Sequence, residues 1–285
     1  THFMLGDYDA LRADFDVDAF RRSTGGTPLV ASVHIEAECA RADAVAETRW
    51  LQAVAAQQQL PSAIVAAVER LAGDAEERLA QQAASPLVRG VRFKPRTSPM
   101  PGDTTDGPGS LHDPRWPRAL EPLVRLGWSW DLRIPFWHLG EAAARLADAP
   151  AIEVVLEHAG LPWDRTDAGL AHWRRGMEAL AANPRVSVKL SEFGLRDAPW
   201  NEAETRRIIR DTIAIFGAGR CMFASNFPVA RLRVAYPDLL RTFATAMEEL
   251  KLDAAKRRAI WRDNAIRVYR IDSCIPLETN EQQGR

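Results

Sequence analysis

Polar side chains that can transfer protons or stabilise negative charge recur at the ends of short apolar runs. A carboxylate there could act as a base, and an arginine or lysine could stabilise a developing oxyanion. The residues at these run ends are Glu36, Glu38, Arg92, Lys94, Asp131, Arg133, Glu157, His158, Lys189, Ser191, Ser225 and Asn226. If these residues meet at one end of a folded domain, unpaired polar groups among them cost free energy. The residues therefore either form ion pairs with one another or contact a ligand.

His158 is the strongest single candidate for chemistry. It closes an apolar run and stands immediately before the turn Gly160-Leu161-Pro162, which would project its ring into the mouth of a barrel. A neutral imidazole in that place can polarise a carbonyl or ligate zinc. His34 lies in the middle of a run, so we interpret it as structural. The sequence contains no HxH or HExxH pattern, so it does not by itself define a complete metal site.

Seven short apolar runs alternate with amphipathic helical segments, which is typical of parallel βαβ units. The predicted strands are 29–35, 62–68, 88–93, 128–134, 152–158, 186–191 and 220–225. This order predicts an α/β fold of the (β/α)₈ barrel type with seven of the eight strands present. Because the chain begins at Thr1 rather than Met, we expect the first strand to lie upstream. One domain is expected over residues 1–272, followed by a flexible tail at 273–285.

The connections of the predicted barrel differ in length on its two sides. Helix-to-strand connections are short, whereas strand-to-helix connections such as 94–114, 158–168 and 191–201 are longer and polar. In a barrel the latter set forms the catalytic face. The 94–114 connection is rich in Gly and Pro and is interpreted as a lid rather than as disorder.

Composition narrows the classes of partner. A net charge of −1 over 285 residues argues against a nucleic-acid-binding protein. No apolar stretch approaches the roughly 18–20 residues that a membrane span needs. The three scattered cysteines favour a reduced, cytoplasmic protein. The expected partner is a small-molecule substrate, with no nucleic acid and no membrane. The oligomeric state stays open, a homo-oligomer included.

Several segments together resemble the amidohydrolase-related, or amidohydrolase 2, family, which includes sugar lactonases and 2-pyrone-4,6-dicarboxylate lactonase. The segments that carry the resemblance are 33–37, 47–51, 90–92, 157–162, 188–191 and 222–229. The resemblance runs from about residue 1 to 272. It implies a distorted (β/α)₈ barrel that hydrolyses a cyclic ester or a related bond.

The resemblance also implies roles for two residues. The family's histidine maps onto His158, which would polarise the substrate carbonyl or hold a metal. The aspartate of the family's last strand, a general base and in many relatives a metal ligand, maps onto Asn226. An amide cannot accept a proton as a carboxylate does. The cofactor implied is therefore a divalent metal, zinc or manganese, or none.

If Asn226 does not act as the base, another carboxylate has to. Glu36 and Glu192 are the candidates, and Glu192 occupies a position where a glycine is expected. Asn226 would then orient water or substrate. Substrate binding and oxyanion stabilisation would come from the cations at the strand ends, namely Arg92, Lys94, Arg133 and Lys189.

The sequence thus predicts a hydrolase acting on a lactone or a similar small carbonyl compound. Two alternatives stay open. One is a catalytically silent barrel that binds a small acidic ligand, and the other is a metal-dependent decarboxylase on the same scaffold.

Overall fold

A computed structural model describes residues 8–103 and 105–271, and within them seven parallel strands form one sheet. The strands are β1 (Val33–Ile35), β2 (Ala63–Ala67), β3 (Val88–Arg92), β4 (Ser129–Leu132), β5 (Val154–Leu156), β6 (Val186–Leu190) and β7 (Cys221–Phe223). Their order in the sheet is their order in the chain. All seven predicted strands are confirmed, although each is shorter than predicted. β1 begins later, β3 and β6 end earlier, and the other four are shorter at both ends.

The α-helices are α1 (Val17–Ser23), α2 (Ala44–Gln58), α3 (Ala75–Ala83), α4 (Trp116–Leu126), α5 (Leu139–Ala147), α6 (Asp167–Ala181), α7 (Glu202–Phe216), α8 (Tyr236–Glu249), α9 (Ala254–Arg258) and α10 (Asn264–Tyr269). Helices α2 to α7 connect successive strands, as the predicted barrel requires, while α1 precedes β1 and α8 to α10 follow β7. None of the helices in the described part of the chain is long and apolar enough to cross a membrane. The predicted tail at 273–285 lies outside the described residues.

The two faces of the sheet bury different residues because side chains alternate along a strand. On β5, Val154 and Leu156 belong to the large core shared with the outer helices, whereas Val155 belongs to a separate core on the concave face. Val65 and Met222 join Val155 there, and so does Tyr269 of α10. Helix α10 therefore covers part of the concave face.

The predicted lid is held by contacts to the segment that precedes α5. The backbone N–H of Ser98 donates to Nε2 of His138 (3.0 Å), and the indole N–H of Trp137 donates to the Ser98 hydroxyl (3.2 Å). Arg96 also donates its backbone N–H to the carbonyl of Gly109 (2.7 Å). The connection is thus folded against the barrel, and its motion as a lid stays a prediction.

The close packing of α5 against α6 depends on Gly176, and we expect Gly176→Ala to destabilise the protein. A Cβ at this position would lie 2.6 Å from Cβ of Leu139. Overpacking of this kind costs about 1–3 kcal/mol, which exceeds the gain of about 1 kcal/mol from replacing a helical glycine. Urea unfolding measures the difference. Gly140→Ala on α5 is the matched control, since its Cβ would have no neighbour within 4 Å. Equal stability of the two variants would contradict the packing argument.

Candidate active site

The carboxyl ends of several strands are marked by residues in the left-handed region of backbone space. Glu38 follows β1 with φ 58°, His158 follows β5 with φ 57°, Glu192 follows β6 with φ 52°, and Asn226 follows β7 with φ 52°. Non-glycine residues adopt this conformation uncommonly, and strained backbone of this kind tends to cluster at functional sites. Here the left-handed turns end the strands and direct the side chains to one end of the barrel.

Below these turns, a continuous network of buried ion pairs crosses the lumen. Arg92 of β3 donates Nε to Glu36 Oε1 (2.6 Å) and Nη1 to Glu157 Oε2 (3.1 Å). Lys189 of β6 donates to Glu157 Oε1 (3.2 Å) and to Asp131 Oδ2 (2.5 Å). The five side chains are each 9% exposed or less. Mutual pairing within the ring, one of the two interpretations left open by the sequence, is therefore present.

The network and its burial change the pKa values of two of its carboxylates in opposite directions. Burial alone would raise the pKa of Glu157, but Arg92 and Lys189 outweigh it and hold that pKa well below its ordinary range. Burial raises the pKa of Asp131, while Lys189 and the hydroxyl of Tyr269 oppose the rise. Glu157 thus stays ionised as the shared acceptor of two cations.

A second group of side chains lies at the turns themselves and centres on Glu192. Its Oε2 accepts from Nδ2 of Asn226 (2.6 Å) and lies 3.2 Å from Nε2 of His158. The other imidazole nitrogen, Nδ1, lies 2.8 Å from the hydroxyl of Ser191. The remaining Glu192 oxygen, Oε1, is buried and has no hydrogen-bond partner among residues 8–103 and 105–271.

Burial sets the protonation of this group in two opposite directions. Burial raises the pKa of Glu192 to about 7, with Arg133 opposing the rise. Burial lowers the pKa of His158 to about 3, although Glu157 opposes that change. His158 is therefore neutral near pH 7, where Glu192 exchanges its proton readily. If the Ser191 hydroxyl donates to Nδ1 of the neutral ring, Nε2 carries the hydrogen and lies 3.2 Å from Glu192 Oε2.

The outer rim of the site carries the remaining predicted cations. Lys94 pairs with Glu38, and both side chains are partly exposed. Arg133 is half-buried and acts electrostatically on Glu38, Glu157, His158 and Glu192. The structure thus brings all eight predicted site residues to one end of the barrel, in an inner and an outer layer. Their roles stay predictions.

Within that arrangement, the polar atoms of Arg92 and Glu36 are occupied by hydrogen bonds, several of them to each other. Besides its pairs with Glu36 and Glu157, Arg92 donates Nη2 to the Glu36 backbone carbonyl (2.6 Å). Both Glu36 carboxylate oxygens accept bonds, one from Arg92 and one from the backbone N–H of Glu38 (2.7 Å). This geometry favours a supporting role for both residues over the predicted contacts with substrate or water.

The donor set does not fit a metal ion among the described residues. No three His, Cys, Asp or Glu groups within 8–103 and 105–271 are arranged to hold one. The carboxylates nearest His158 are engaged, since Glu157 accepts from Arg92 and Lys189, and Glu192 accepts from Asn226. A cation bound to Glu157 or to Oε2 of Glu192 would have to displace these donors. His158 as a metal ligand therefore stays a prediction.

Sequence reasoning missed one member of the buried network. Tyr269 of α10 donates its hydroxyl to Asp131 Oδ2 (2.7 Å), and its ring lies 5.6 Å from Lys189 Nζ. Its position in a helix near the end of the described chain gives no signal of this contact, because only the folding of α10 onto the concave face creates it. Asp131 and Glu157 were identified as strand-end residues, but their central place follows from the register of the strands.

Comparisons with known proteins agree with this architecture. The family model described as amidohydrolase matches residues 5–271. An uncharacterised protein, y4mH, of Sinorhizobium fredii is 29% identical, over 94% of this chain and 89% of its own. An L-fucono-1,5-lactonase of Burkholderia multivorans is 29% identical, over 91% and 87%. A solved amidohydrolase from Burkholderia multivorans with bound zinc superposes with a TM-score of 0.78 at 27% identity, covering 92% of this chain and 91% of that one.

Proposed function

The chain belongs to the amidohydrolase family of hydrolases, and on that premise we propose that it hydrolyses a lactone or a similar small cyclic ester with Glu192 as the general base. The observation that carries this proposal is the state of the Glu192 carboxylate. Asn226 and His158 both contact Oε2, while Oε1 is buried without a hydrogen-bond partner in the described part of the chain. A buried acceptor left unpaired costs about 1–3 kcal/mol, and a water molecule at Oε1 would remove that cost.

Glu192 is a better base than Glu36, the other candidate. Glu36 has both oxygens engaged, and Arg92 would have to release it before it could take a proton. The pKa of Glu192, raised by burial to about 7, also lies near the value at which a base works best at neutral pH.

The contact between Glu192 and Asn226 supports a local exchange of roles. By resemblance, the family's carboxylate stands at 226 and a residue like glycine at 192. In this chain the carboxylate stands at 192 and the amide at 226, and the two side chains are 2.6 Å apart. A carboxylate is therefore kept within one hydrogen bond of the expected position.

The proposed reaction is a water-mediated ring opening. Glu192 Oε1 takes a proton from water as the water oxygen bonds to the lactone carbonyl carbon, which gives a tetrahedral intermediate with a negative oxygen. Lys189 and Arg133 stabilise that oxygen. The intermediate collapses as the ring C–O bond breaks, and Glu192 returns the proton to the departing alkoxide. The product is a hydroxy acid, and the Nε2–H of His158 remains next to Oε2 throughout.

Two features suit a lactone substrate: cations that can stabilise the oxyanion, namely Lys189 and Arg133, and a cationic outer rim of the site. Lys94 and Arg133 lie close enough to interact electrostatically, and in this proposal they bind the product carboxylate. The similarity to a lactonase of Burkholderia multivorans supports the same substrate class. The free thiols of Cys39 and Cys221 support a cytoplasmic location.

The direct test is hydrolysis of a panel of sugar lactones and aromatic lactones, with His158→Ala as the informative variant. We expect the wild-type protein to open at least one lactone and His158→Ala to lower kcat about 100-fold, because Glu192 loses the donor that orients it. His172→Ala, on α6, is the control for loss of an imidazole. Full activity in the His158 variant would remove His158 from the mechanism.

Two measurements separate the alternatives. If no lactone in the panel is hydrolysed while a small dicarboxylate binds by calorimetry, the silent binding barrel replaces the proposal. Metal analysis and chelation of the purified protein complete the test. We expect the rate of lactone hydrolysis to be unchanged after chelation. If the chelator abolished the rate and zinc or manganese restored it, the mechanism with Glu192 as the base and no metal would be wrong.

A further inference from the structure

We propose that Tyr269 is a positioning residue that holds Lys189 in the active site by donating to Asp131 and favouring its ionised form. The inference rests on the proposed function, in which Lys189 stabilises the oxyanion. It assigns a role in that reaction to a residue of helix α10, whereas all the other proposed active-site residues lie at strand ends.

Three hydrogen-bond donors surround the carboxylate of Asp131. The side chain is completely buried, so its ionised form depends on these donors. Oδ1 accepts from the hydroxyl of Ser129 (2.9 Å), and Oδ2 accepts from Lys189 Nζ (2.5 Å) and from the hydroxyl of Tyr269 (2.7 Å). Tyr269 is therefore one of three donors that favour the ionised carboxylate against the effect of burial.

Lys189 in turn depends on that charge. Its ammonium group lies between Asp131 and Glu157, and its side chain is 7% exposed. Two of its three N–H groups point to these carboxylates, which leaves one to meet a substrate oxygen. If Asp131 became neutral, the ammonium group would be drawn toward Glu157, which is already paired with Arg92. The hydroxyl of Tyr269 thus acts on Lys189 through one intervening residue.

The placement of Tyr269 is itself fixed by the fold. The residue is 1% exposed and packs with Val65, Val155 and Met222 on the concave face. Asn264, at the start of the same helix, donates Nδ2 to the carbonyls of Ala218 (2.7 Å) and Cys221 (2.8 Å). The helix is therefore attached to β7 at one end and delivers the hydroxyl to β4 at the other.

The test is Tyr269→Phe, which removes one oxygen and keeps the ring. We expect kcat for lactone hydrolysis to fall about tenfold, as for loss of one hydrogen bond to a charged group, with KM changed less than about twofold. Below the limb that Glu192 sets, kcat should fall more steeply with decreasing pH than in the wild type, because Asp131 takes up a proton more easily and loses its charge as well. The other titratable groups that act on Asp131 or Lys189 are Glu157 and His158, and both are unchanged in this variant.

Tyr236→Phe is the matched control. Tyr236 is also buried and its ring packs against Phe223 and Phe227, but its hydroxyl makes no side-chain hydrogen bond within residues 8–103 and 105–271. We expect wild-type kinetics and an unmoved pH profile. A merely structural role for Tyr269 predicts the same profile in both variants, and that outcome would overturn the proposal.

A second measurement does not need activity, so it separates this inference from the proposed function. The pKa of Asp131 is raised in the folded protein, so its contribution to stability is lost as the pH rises. Removing the Tyr269 hydroxyl raises the pKa of Asp131 further, so more stability is lost as the pH rises. The urea midpoint of Tyr269→Phe should therefore fall further below that of the wild type as the pH increases from about 4 to 8. The difference in urea midpoint between Tyr236→Phe and the wild type should stay constant over the same range. A constant offset for both would contradict the role of Tyr269, whether or not the wild type opens lactones.

Discussion

Replacing Glu192 with Gln is expected to lower kcat for lactone hydrolysis about 10²–10⁴-fold, the usual contribution of a positioned base. The amide keeps the size of the side chain, and its oxygen can still accept from Asn226 and His158. It cannot take a proton from water. The loss should therefore appear in kcat more than in KM. Steady-state kinetics with the best substrate of the lactone panel measures the effect.

The pH profile identifies the residue behind that loss. Glu192 is a base only when ionised, and its pKa of about 7 places the acid limb of the wild-type rate near neutrality. Below that limb the rate should fall about tenfold per pH unit. His158, with a pKa lowered to about 3, is neutral across this range and contributes no second limb. A wild-type rate that is flat between pH 5 and 8 would contradict Glu192 as the base.

The Glu192→Gln variant should lose activity but gain stability as the pH rises. The pKa of Glu192 is raised from 4.5 to about 7 in the folded protein, so its contribution to stability is present below about pH 4.5 and lost as the pH rises through 7. A shift of this size corresponds to roughly 3 kcal/mol. The glutamine side chain does not titrate, so Glu192→Gln should gain up to that amount relative to wild type between pH 4 and 8. Urea unfolding at the two pH values tests the sign.

The exchange of roles between positions 192 and 226 has its own test. The double variant Glu192→Gly/Asn226→Asp returns the carboxylate to position 226 and places glycine at a backbone position with φ 52°, which glycine adopts without strain. We expect it to retain more activity than Glu192→Gln. If both variants are equally inactive, the carboxylate at 192 does more than replace an aspartate at 226.

Replacing Lys189 with Met is expected to destabilise the fold by about 3–5 kcal/mol, the usual cost of removing one partner of a buried ion pair. Asp131 is completely buried and would keep only the hydroxyl donors Ser129 and Tyr269. Glu157 would keep Arg92. Since removal of Lys189 raises the pKa of Asp131 further, the destabilisation should grow as the pH rises and shrink at low pH, where Asp131 is protonated.

Lys94→Met is the matched control for this effect. Lys94 also pairs with a glutamate, Glu38, but the two side chains are 31% and 55% exposed. Exposed pairs contribute about 0–1 kcal/mol, so the control should unfold close to wild type. Chemical unfolding of both variants measures the contrast. Similar stabilities would mean that the lumen network tolerates an uncompensated carboxylate, against the electrostatic argument for its role.

The sequence by itself determined the barrel and the ring of strand-end residues. The alternation of seven apolar runs with amphipathic helices depends on local periodicity, and carboxyl ends of parallel strands meet at one edge regardless of detail. That is why the candidate residues from Glu36 to Asn226, far apart in the chain, could be predicted to lie together. The shortened strand ends were missed because the left-handed turns at His158 and Glu192 carry no glycine.

Only the tertiary structure decided which of those residues has a free chemical group. Glu36 and Glu192 are the same residue type after strand ends, and no local feature of either shows which oxygens have hydrogen-bond partners. Arg92 engages Glu36, whereas Glu192 keeps one buried oxygen unpartnered within the described residues. The contact of Tyr269 with Asp131 joins residues 138 positions apart. Such pairings depend on strand register and on how α10 packs on the concave face, so they are fixed by the burial of the whole chain and not by any segment of it.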